Sequence, residues 1–211
     1  MATRRRIFIG DIQGCRRELV TLLERCDLRH GTDRVLPVGD LVNKGPDSEG
    51  VLRVLKDLDA ESVLGNHDLW WLAKQRWKDP ALRSWLAAQP VVRVHDDVIQ
   101  VHAGLNPTWT EAKLRGPLTA AEVEYATNIR YCLPDGTPAP EDWPPPAPPY
   151  QPWDEFWLGK PVVCGHWARR GLVQNPRCTS LDTGCCYGGR LTAWIPEDRR
   201  IVQVDALDPR R

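Results

Sequence analysis

The stretch RVLPVGDLVNKGPDSEGVLRVLKDL, residues 34–58, decides how this chain is read. Arg34 to Val38 is an apolar run of strand length, and Gly39 to Asp47 is dense in turn formers. From Ser48 to Leu58, Val51, Leu52, Val54 and Leu55 then recur at the spacing of one helical face. The same strand, loop and helix order precedes it: Arg5 to Ile9, a Gly-rich turn, then Arg16 to Cys26 with Leu19, Val20, Leu22 and Leu23 on one face. A third copy is expected to follow, with Ser62 to Leu64 as strand, Gly65 to Asp68 as loop and Leu69 to Gln75 opening a helix. Such alternation predicts a parallel sheet covered by helices.

The second half has a different texture. Val91 to Val94 and Val98 to His102 flank Asp96 and Asp97 as a hairpin would, and four further short runs are strand-like: Val162 to Cys164, Thr179 to Leu181, Arg190 to Ile195 and Ile201 to Val204. An α/β core with a second, mixed sheet is the expected architecture. Leu133 to Pro152 carries about half of the chain's 19 prolines and is expected to be an extended surface segment, since proline neither continues a helix nor donates to a central sheet. At 211 residues the chain is expected to form a single domain over 1–211.

With 28 basic and 28 acidic residues the net charge is zero, which argues against a binder of DNA or of any nucleic-acid backbone regardless of sequence, but leaves nucleotides open as substrates. The apolar run Ile7 to Ile9 is too short for a signal peptide or membrane span, so a cytoplasmic location with no membrane partner is expected. Seven irregularly spaced cysteines, with Cys185 and Cys186 adjacent, do not resemble a disulfide framework and read as buried thiols. Composition says nothing about oligomeric state.

Three expected strand ends carry a glycine followed by a metal-binding side chain: Gly10-Asp11-Ile12-Gln13-Gly14, Gly39-Asp40 and Gly65-Asn66-His67-Asp68. Two later runs end in His102 and His166. One Gly-Asp after a strand is ordinarily a turn. Five such strand ends, including Asn-His and two separate histidines, are more than turn chemistry requires. In an open α/β sheet the carboxyl ends of neighbouring strands converge on one crevice, so Asp11, Asp40, Asn66, His102 and His166 are expected to share a pocket. Oxygen ligands mixed with imidazole suit Mn, Fe, Co or Zn, and the set is large enough for two ions that activate a nucleophile and neutralise a phosphoryl group. His30 and His95 lie in apparent turns and are given no chemistry. Trp70, Trp71, Trp77 and Trp85 fit helical packing, whereas Trp109, Trp153, Trp157 and Trp167 lie in or near loops, where one is available to stack on an adenine.

Taken in order, these loops, with Gly39-Asp40-Leu41-Val42-Asn43-Lys44-Gly45-Pro46 extended, resemble the metallophosphoesterases of the phosphoprotein phosphatase superfamily. Gly165-His166-Trp167-Ala168 and Leu181-Asp182-Thr183-Gly184-Cys185-Cys186-Tyr187-Gly188-Gly189 make the chain similar to the bacterial symmetrical diadenosine tetraphosphatase family within it. The resemblance implies a four-layer αββα sandwich, two mixed β-sheets between helices, with a metal centre at one edge. It implies that Asp11 and Gln13 bind a first divalent ion, that Asp40 bridges, and that Asn66, His102 and His166 bind a second. His67 would then donate a proton to the leaving oxygen. Gln13 stands where the superfamily usually has histidine; its harder amide oxygen points to Mn2+, with Co2+ or Mg2+ as substitutes. Asn43 replaces the acidic partner of the catalytic histidine, and Lys44, in place of a phosphate-gripping arginine, would bind substrate phosphate with its charge but without the bidentate fork. Arg130 matches a segment that supplies a second phosphate-binding arginine. The chain is shorter than typical members, and the missing residues are expected between Gly104 and Thr127.

The function these features imply is symmetrical hydrolysis of diadenosine tetraphosphate to two ADP, extending to removal of dinucleoside-tetraphosphate caps from RNA 5′ ends. Two alternatives are a protein serine/threonine phosphatase, and a non-catalytic binding protein whose centre Gln13, Asn43 and Lys44 have degraded.

Overall fold

The computed structural model describes residues 4–74 and 77–207. In chain order the elements are β1 (Arg6–Ile9), α1 (Arg16–Arg25), β2 (Arg34–Pro37), α2 (Ser48–Asp57), α3 (Asn66–Lys74), α4 (Pro80–Ala87), β3 (Val92–Val94) and β4 (Ile99–Val101). There follow α5 (Glu111–Leu114), α6 (Ala120–Asn128), β5 (Tyr131–Cys132), β6 (Gln151–Pro152), β7 (Val162–Cys164), β8 (Val173–Gln174), β9 (Cys178–Ser180), β10 (Asp182–Thr183), β11 (Arg190–Ile195) and β12 (Arg200–Asp205). No helix among the described residues is long and apolar enough to cross a membrane.

Two mixed sheets carry the fold. In the first, β1 pairs parallel with β2 and antiparallel with β11, which also pairs with β10 and β12. The second runs β3-β4-β7-β9-β8, parallel in its centre and antiparallel at both edges. Successive side chains on a strand face opposite ways, and here both faces are buried. Ile7 and Ile9 pack toward α1 and α2, while Phe8 between them joins Leu36, Val38, Val98, Val163 and Leu181 in the layer between the sheets. A third cluster, with Val101, Leu114, Ala126 and Trp153, covers the outer face of the second sheet. Three apolar layers thus separate four layers of secondary structure, the mixed-sheet α/β arrangement expected above.

The expected strand at Ser62 to Leu64 does not form. Residues 61 and 63 do run beside β2, with Glu61 N–H donating to Val35 O at 2.9 Å and Val63 N–H to Pro37 O at 3.3 Å. The reciprocal bond would need an N–H on residue 37, and proline has none. Glu61 O is taken instead by the Gln100 amide, whose Nε2 donates to it at 3.1 Å and to Pro37 O at 2.7 Å. The helix that follows starts three residues earlier than expected, so Asn66, His67 and Asp68 form its first turn. Gln75, its expected end, lies outside the described residues, as do Met1 to Thr3 and Asp208 to Arg211.

All seven cysteines are buried thiols. The proline-rich segment forms no helix and is pinned at its ends by the short β5–β6 pair and a bridge from Cys132 to Pro138. Of the tryptophans expected to pack on helices, Trp71, Trp77 and Trp85 lie against the first core cluster, but Trp70 is largely exposed.

Phe8 is fully buried between the sheets and stacks on Trp194 with ring centroids 5.6 Å apart. Replacing it with alanine is expected to lower unfolding free energy by about 3–5 kcal/mol in urea denaturation, the usual result of emptying a large buried site. A loss below about 1 kcal/mol would mean that the inter-sheet layer is not tightly packed.

Candidate metal centre

Parallel strands end together, and here the ends of β1 and β2 from one sheet meet those of β4 and β7 from the other. Asp11 follows β1, Asp40 follows β2, His102 follows β4 and His166 follows β7. One ligand atom each from Asp11, Asp40 and His102 lies within 4.8 Å of the others, and all three residues are buried. Close backbone approach makes this possible. A Cβ on Gly65 would collide with the Asp40 carboxylate, and one on Gly165 with that of Asp11.

Asp40 is held from three sides. Its Oδ1 accepts from His67 N–H at 2.9 Å, the first turn of α3, and stands 3.4 Å from His102 Nε2; its Oδ2 accepts from Gln13 Nε2 at 3.2 Å. Asp68, fully buried, fastens the β2 loop to α3 by accepting from Leu41 N–H at 2.8 Å and Gly65 N–H at 2.9 Å. Gln13, Asp40, Asn43, Lys44 and His166 all adopt positive φ without being glycine. Such conformations are sparsely populated and recur at functional sites.

Hydrogen bonds set the histidine tautomers. His102 Nδ1 donates to Val38 O at 2.9 Å, so Nε2, beside Asp40 and 3.1 Å from Asn66 Oδ1, is the nitrogen that faces the centre, and its proton is the one a metal ion would displace. In His166 the roles are reversed. Nε2 donates to Asn128 O at 3.0 Å, so Nδ1 faces Asn66 Oδ1 at 3.1 Å. Two imidazole nitrogens and an amide oxygen thus converge on one point.

The electrostatics describe a pocket short of positive charge. Burial pushes Asp11 well above the usual carboxylate range, with Asp182 adding repulsion, and lifts Asp182 itself to about 6 and Asp68 to about 7. Asp40 is pulled the other way, to about 2, because His102 and the other imidazoles outweigh its burial. Burial opposes the His102 cation, yet Asp40 and Asp11 overcome it and hold its pKa up at about 10. Crowded, desolvated carboxylates facing imidazole nitrogens are what a divalent cation relieves, taking the place of the His102 proton. The residues present therefore fit a metal.

Each residue singled out in the sequence can be placed. Asp11, Gln13, Asp40, Asn66, His67, His166 and Arg130 line one cavity of about 1100 Å³, with His102 beneath them at zero exposure. Gln13 presents its amide nitrogen to Asp40 and its oxygen to the Cys186 thiol, so ligation through that oxygen requires the amide to turn. Lys44 is exposed and is not among the lining residues, whereas Arg130 donates to His166 O at 3.4 Å and to Asp142 at 2.7 Å. Of the loop tryptophans, Trp167 lines the cavity; Trp153 and Trp157 are buried, and Trp109 packs on Tyr125.

The reading from sequence passed over Asp182 and Trp143. Both line the cavity. Asp182 had a signal, since it sits within the Leu181 to Gly189 motif after a short apolar run. Trp143 had none, standing at the head of a proline run.

The two-sheet fold with buried carboxylates and imidazoles at its strand ends defines a calcineurin-like phosphoesterase, and the model of that family matches residues 4–116. Two curated proteins named symmetrical bis(5′-nucleosyl)-tetraphosphatase are similar over nearly the whole chain. That of Aromatoleum aromaticum is 34% identical, covering 94% of this chain and 96% of its own, and that of Dechloromonas aromatica is 36% identical, covering 93% and 94%. The chain belongs to the symmetrical bis(5′-nucleosyl)-tetraphosphatase family of calcineurin-like phosphoesterases.

A solved structure provisionally described as a diadenosine tetraphosphatase superposes with a TM-score of 0.83 at 33% identity, covering 98% of this chain and 96% of that one. A protein serine/threonine phosphatase from Saccharomyces cerevisiae, at 13% identity and a TM-score of 0.66 over 99% of this chain and 81% of its own, shares the fold alone. The alignment to the Aromatoleum protein runs over 261 positions, more than the 211 residues present, so that relative carries segments this chain lacks. Between Gly104 and Thr127 this chain has only α5 and most of α6.

Replacing Gly165 by alanine is expected to displace Asp11 and to cut bound divalent metal well below the wild-type ratio, as read by elemental analysis after loading and desalting, with circular dichroism unchanged. Full metal retention would show that the close approach of residue 165 does not position Asp11.

Proposed function

We propose that this protein hydrolyses diadenosine tetraphosphate symmetrically: water adds to an inner phosphorus, the bond to the central bridging oxygen breaks, and two ADP result. The observation that carries the reading is the tautomer of His67. Lys44 N–H donates to Asn43 Oδ1 at 2.9 Å, which fixes the amide so that Nδ2 faces His67 Nδ1 at 2.7 Å. Nδ1 must then accept, and the ring proton sits on Nε2, 4.0 Å from Asp40 Oδ2. Burial lowers the His67 pKa, and Lys44 and His102 lower it further against Asp40, so the ring is neutral near pH 7.

A neutral imidazole is a hydrogen-bond donor but a weak acid. That suits a phosphoanhydride, because a departing nucleoside diphosphate is a stable anion whose terminal phosphate ionises near pH ~6. It suits a phosphoserine ester less well, since an alkoxide must leave with a proton. The names of the full-length relatives agree with the first substrate. His67 is thus the donor to the leaving oxygen, and Asn43 is the positioning residue that holds its ring.

Asp11, Asp40, Asn66, His102 and His166 would hold two divalent ions, with Gln13 joining the first through its amide oxygen. Mn2+ is the preferred ion, with Co2+ or Mg2+ as substitutes, because a neutral amide oxygen is a harder ligand than imidazole. When bound, the ions supply Lewis acidity toward the phosphoryl group and a nucleophile at neutral pH. Arg130 contacts the polyphosphate, and Lys44 acts by its field on His67. An RNA 5′ end joined through four phosphates to adenosine presents the same anhydride, and we extend the reading to that cap.

Incubating the purified chain with diadenosine tetraphosphate and Mn2+ should give ADP as the only nucleotide product on anion exchange. AMP with ATP would overturn the symmetrical reading, and turnover of phosphopeptides alone would move the assignment to a protein phosphatase. Replacement of His67 by asparagine should lower kcat by at least about 100-fold while leaving metal content near wild type. Tightly retained zinc with full activity would refute the preference for Mn2+.

A further inference from the structure

Away from the carboxylates the cavity wall changes from acidic to aromatic and cationic. Tyr131 and Trp167 meet edge-on with centroids 4.8 Å apart, and Trp167 is backed at 5.1 Å by Arg170, itself clamped to buried Asp154 by bonds of 2.7 and 3.0 Å. That pair is fixed in place by its neighbours. Trp143, which also lines the cavity, is different: it is 63% exposed, and among the described residues its one ring partner is the guanidinium of Arg169, 4.3 Å from its centroid. Among the described residues Arg169 has no carboxylate partner. An indole with a cation on one face and most of its area in solvent is a platform awaiting a second flat ring.

Its position says which ring. Asp142, the preceding residue, is bonded to Arg130 at 2.7 Å, and Arg130 reaches the backbone of His166. Trp143 is therefore one residue from a tether that ends at the metal-ligand cluster. Pro144, Pro145 and Pro146 follow it, and their fixed φ restricts the backbone that carries the indole. That restraint lowers the backbone entropy lost on binding. The ligand class that matches Arg130 and the metal-ligand residues at one end and an indole backed by a guanidinium at the other is a flat ring on a polyanionic tail. That is the chemistry of a nucleoside diphosphate.

We propose that Trp143 and Arg169 form the nucleobase site, the base of one nucleoside diphosphate half stacking on the indole face that Arg169 leaves open. The proline-rich segment thereby acquires a role as the wall that selects nucleotides over bare phosphates. This rests on the dinucleotide reading above for its substrate but not for its ligand class. Stacking alone reads no base edge, so the site should accept guanine nearly as well as adenine.

The test uses the Mn2+-loaded full chain and calorimetric binding of ADP and of inorganic pyrophosphate, with KM and kcat for diadenosine tetraphosphate alongside. Trp143→Ala should weaken ADP about tenfold, the size a base stack carries, and raise KM to a similar degree, with pyrophosphate affinity and kcat moving far less. Trp143→Phe should restore most of the loss. ADP weakened selectively in a protein that does not cleave the tetraphosphate would sink the proposed substrate and leave the nucleobase site standing. ADP affinity and KM within twofold of wild type would overturn the site, as would an equal loss for ADP and pyrophosphate.

Discussion

Removing a carboxylate from water costs several kcal/mol unless other groups replace its hydration, and the Asp40 side chain, 2% exposed, is where this chain meets that demand. The first turn of α3, the Gln13 amide and the His102 ring supply the replacement, each from a different part of the sequence. Meeting the needs of one anion therefore aligns β1, β2, α3 and β4 at a single point. Asp68 performs a second version of the same task with two backbone N–H groups, locking the β2 loop against the helix start. What remains uncompensated is negative charge around Asp11 and Asp182, and a cation is the natural complement.

Rigidity around that point has structural causes rather than a single one. Phe8, Leu36, Val163 and Leu181 fill the space between the sheets, so the strand ends cannot slide apart without opening an apolar layer. Gly65 and Gly165 let backbone touch the two carboxylates directly. Positive φ at Gln13, Asp40 and His166 stores strain that the surrounding hydrogen bonds hold in place.

The loop after β2 sets the character of the chemistry. Because Lys44 N–H orients the Asn43 amide, the histidine beside it carries its proton toward the centre and its lone pair away. A carboxylate in place of Asn43 would favour the imidazolium and a stronger acid. The amide gives a milder donor, matched to an anhydride. At the other end of the cavity, Trp143 and Arg169 add a surface that recognises a flat ring and not a phosphate.

Much of this was legible beforehand. Strand-length apolar runs ending in Gly-Asp, Gly-Asn-His and two further histidines were enough to expect an α/β fold and a shared metal pocket, because strand ends converge whatever the loops contain. Periodicity also placed α1, α2 and the β3–β4 hairpin within a residue or two. It failed at Ser62 to Leu64, where one missing N–H at Pro37 denied the run a ladder, a fact that depends on which residue lies opposite. The His67 tautomer, the turn of the Gln13 amide toward Cys186, the withdrawal of Lys44 from the cavity and the pairing of Trp143 with Arg169 were likewise beyond the sequence. Spacing along a chain reports which residues can share a face or a strand end. Hydrogen-bond direction and ring stacking depend on angles between segments far apart in the chain, and only the packed structure sets those.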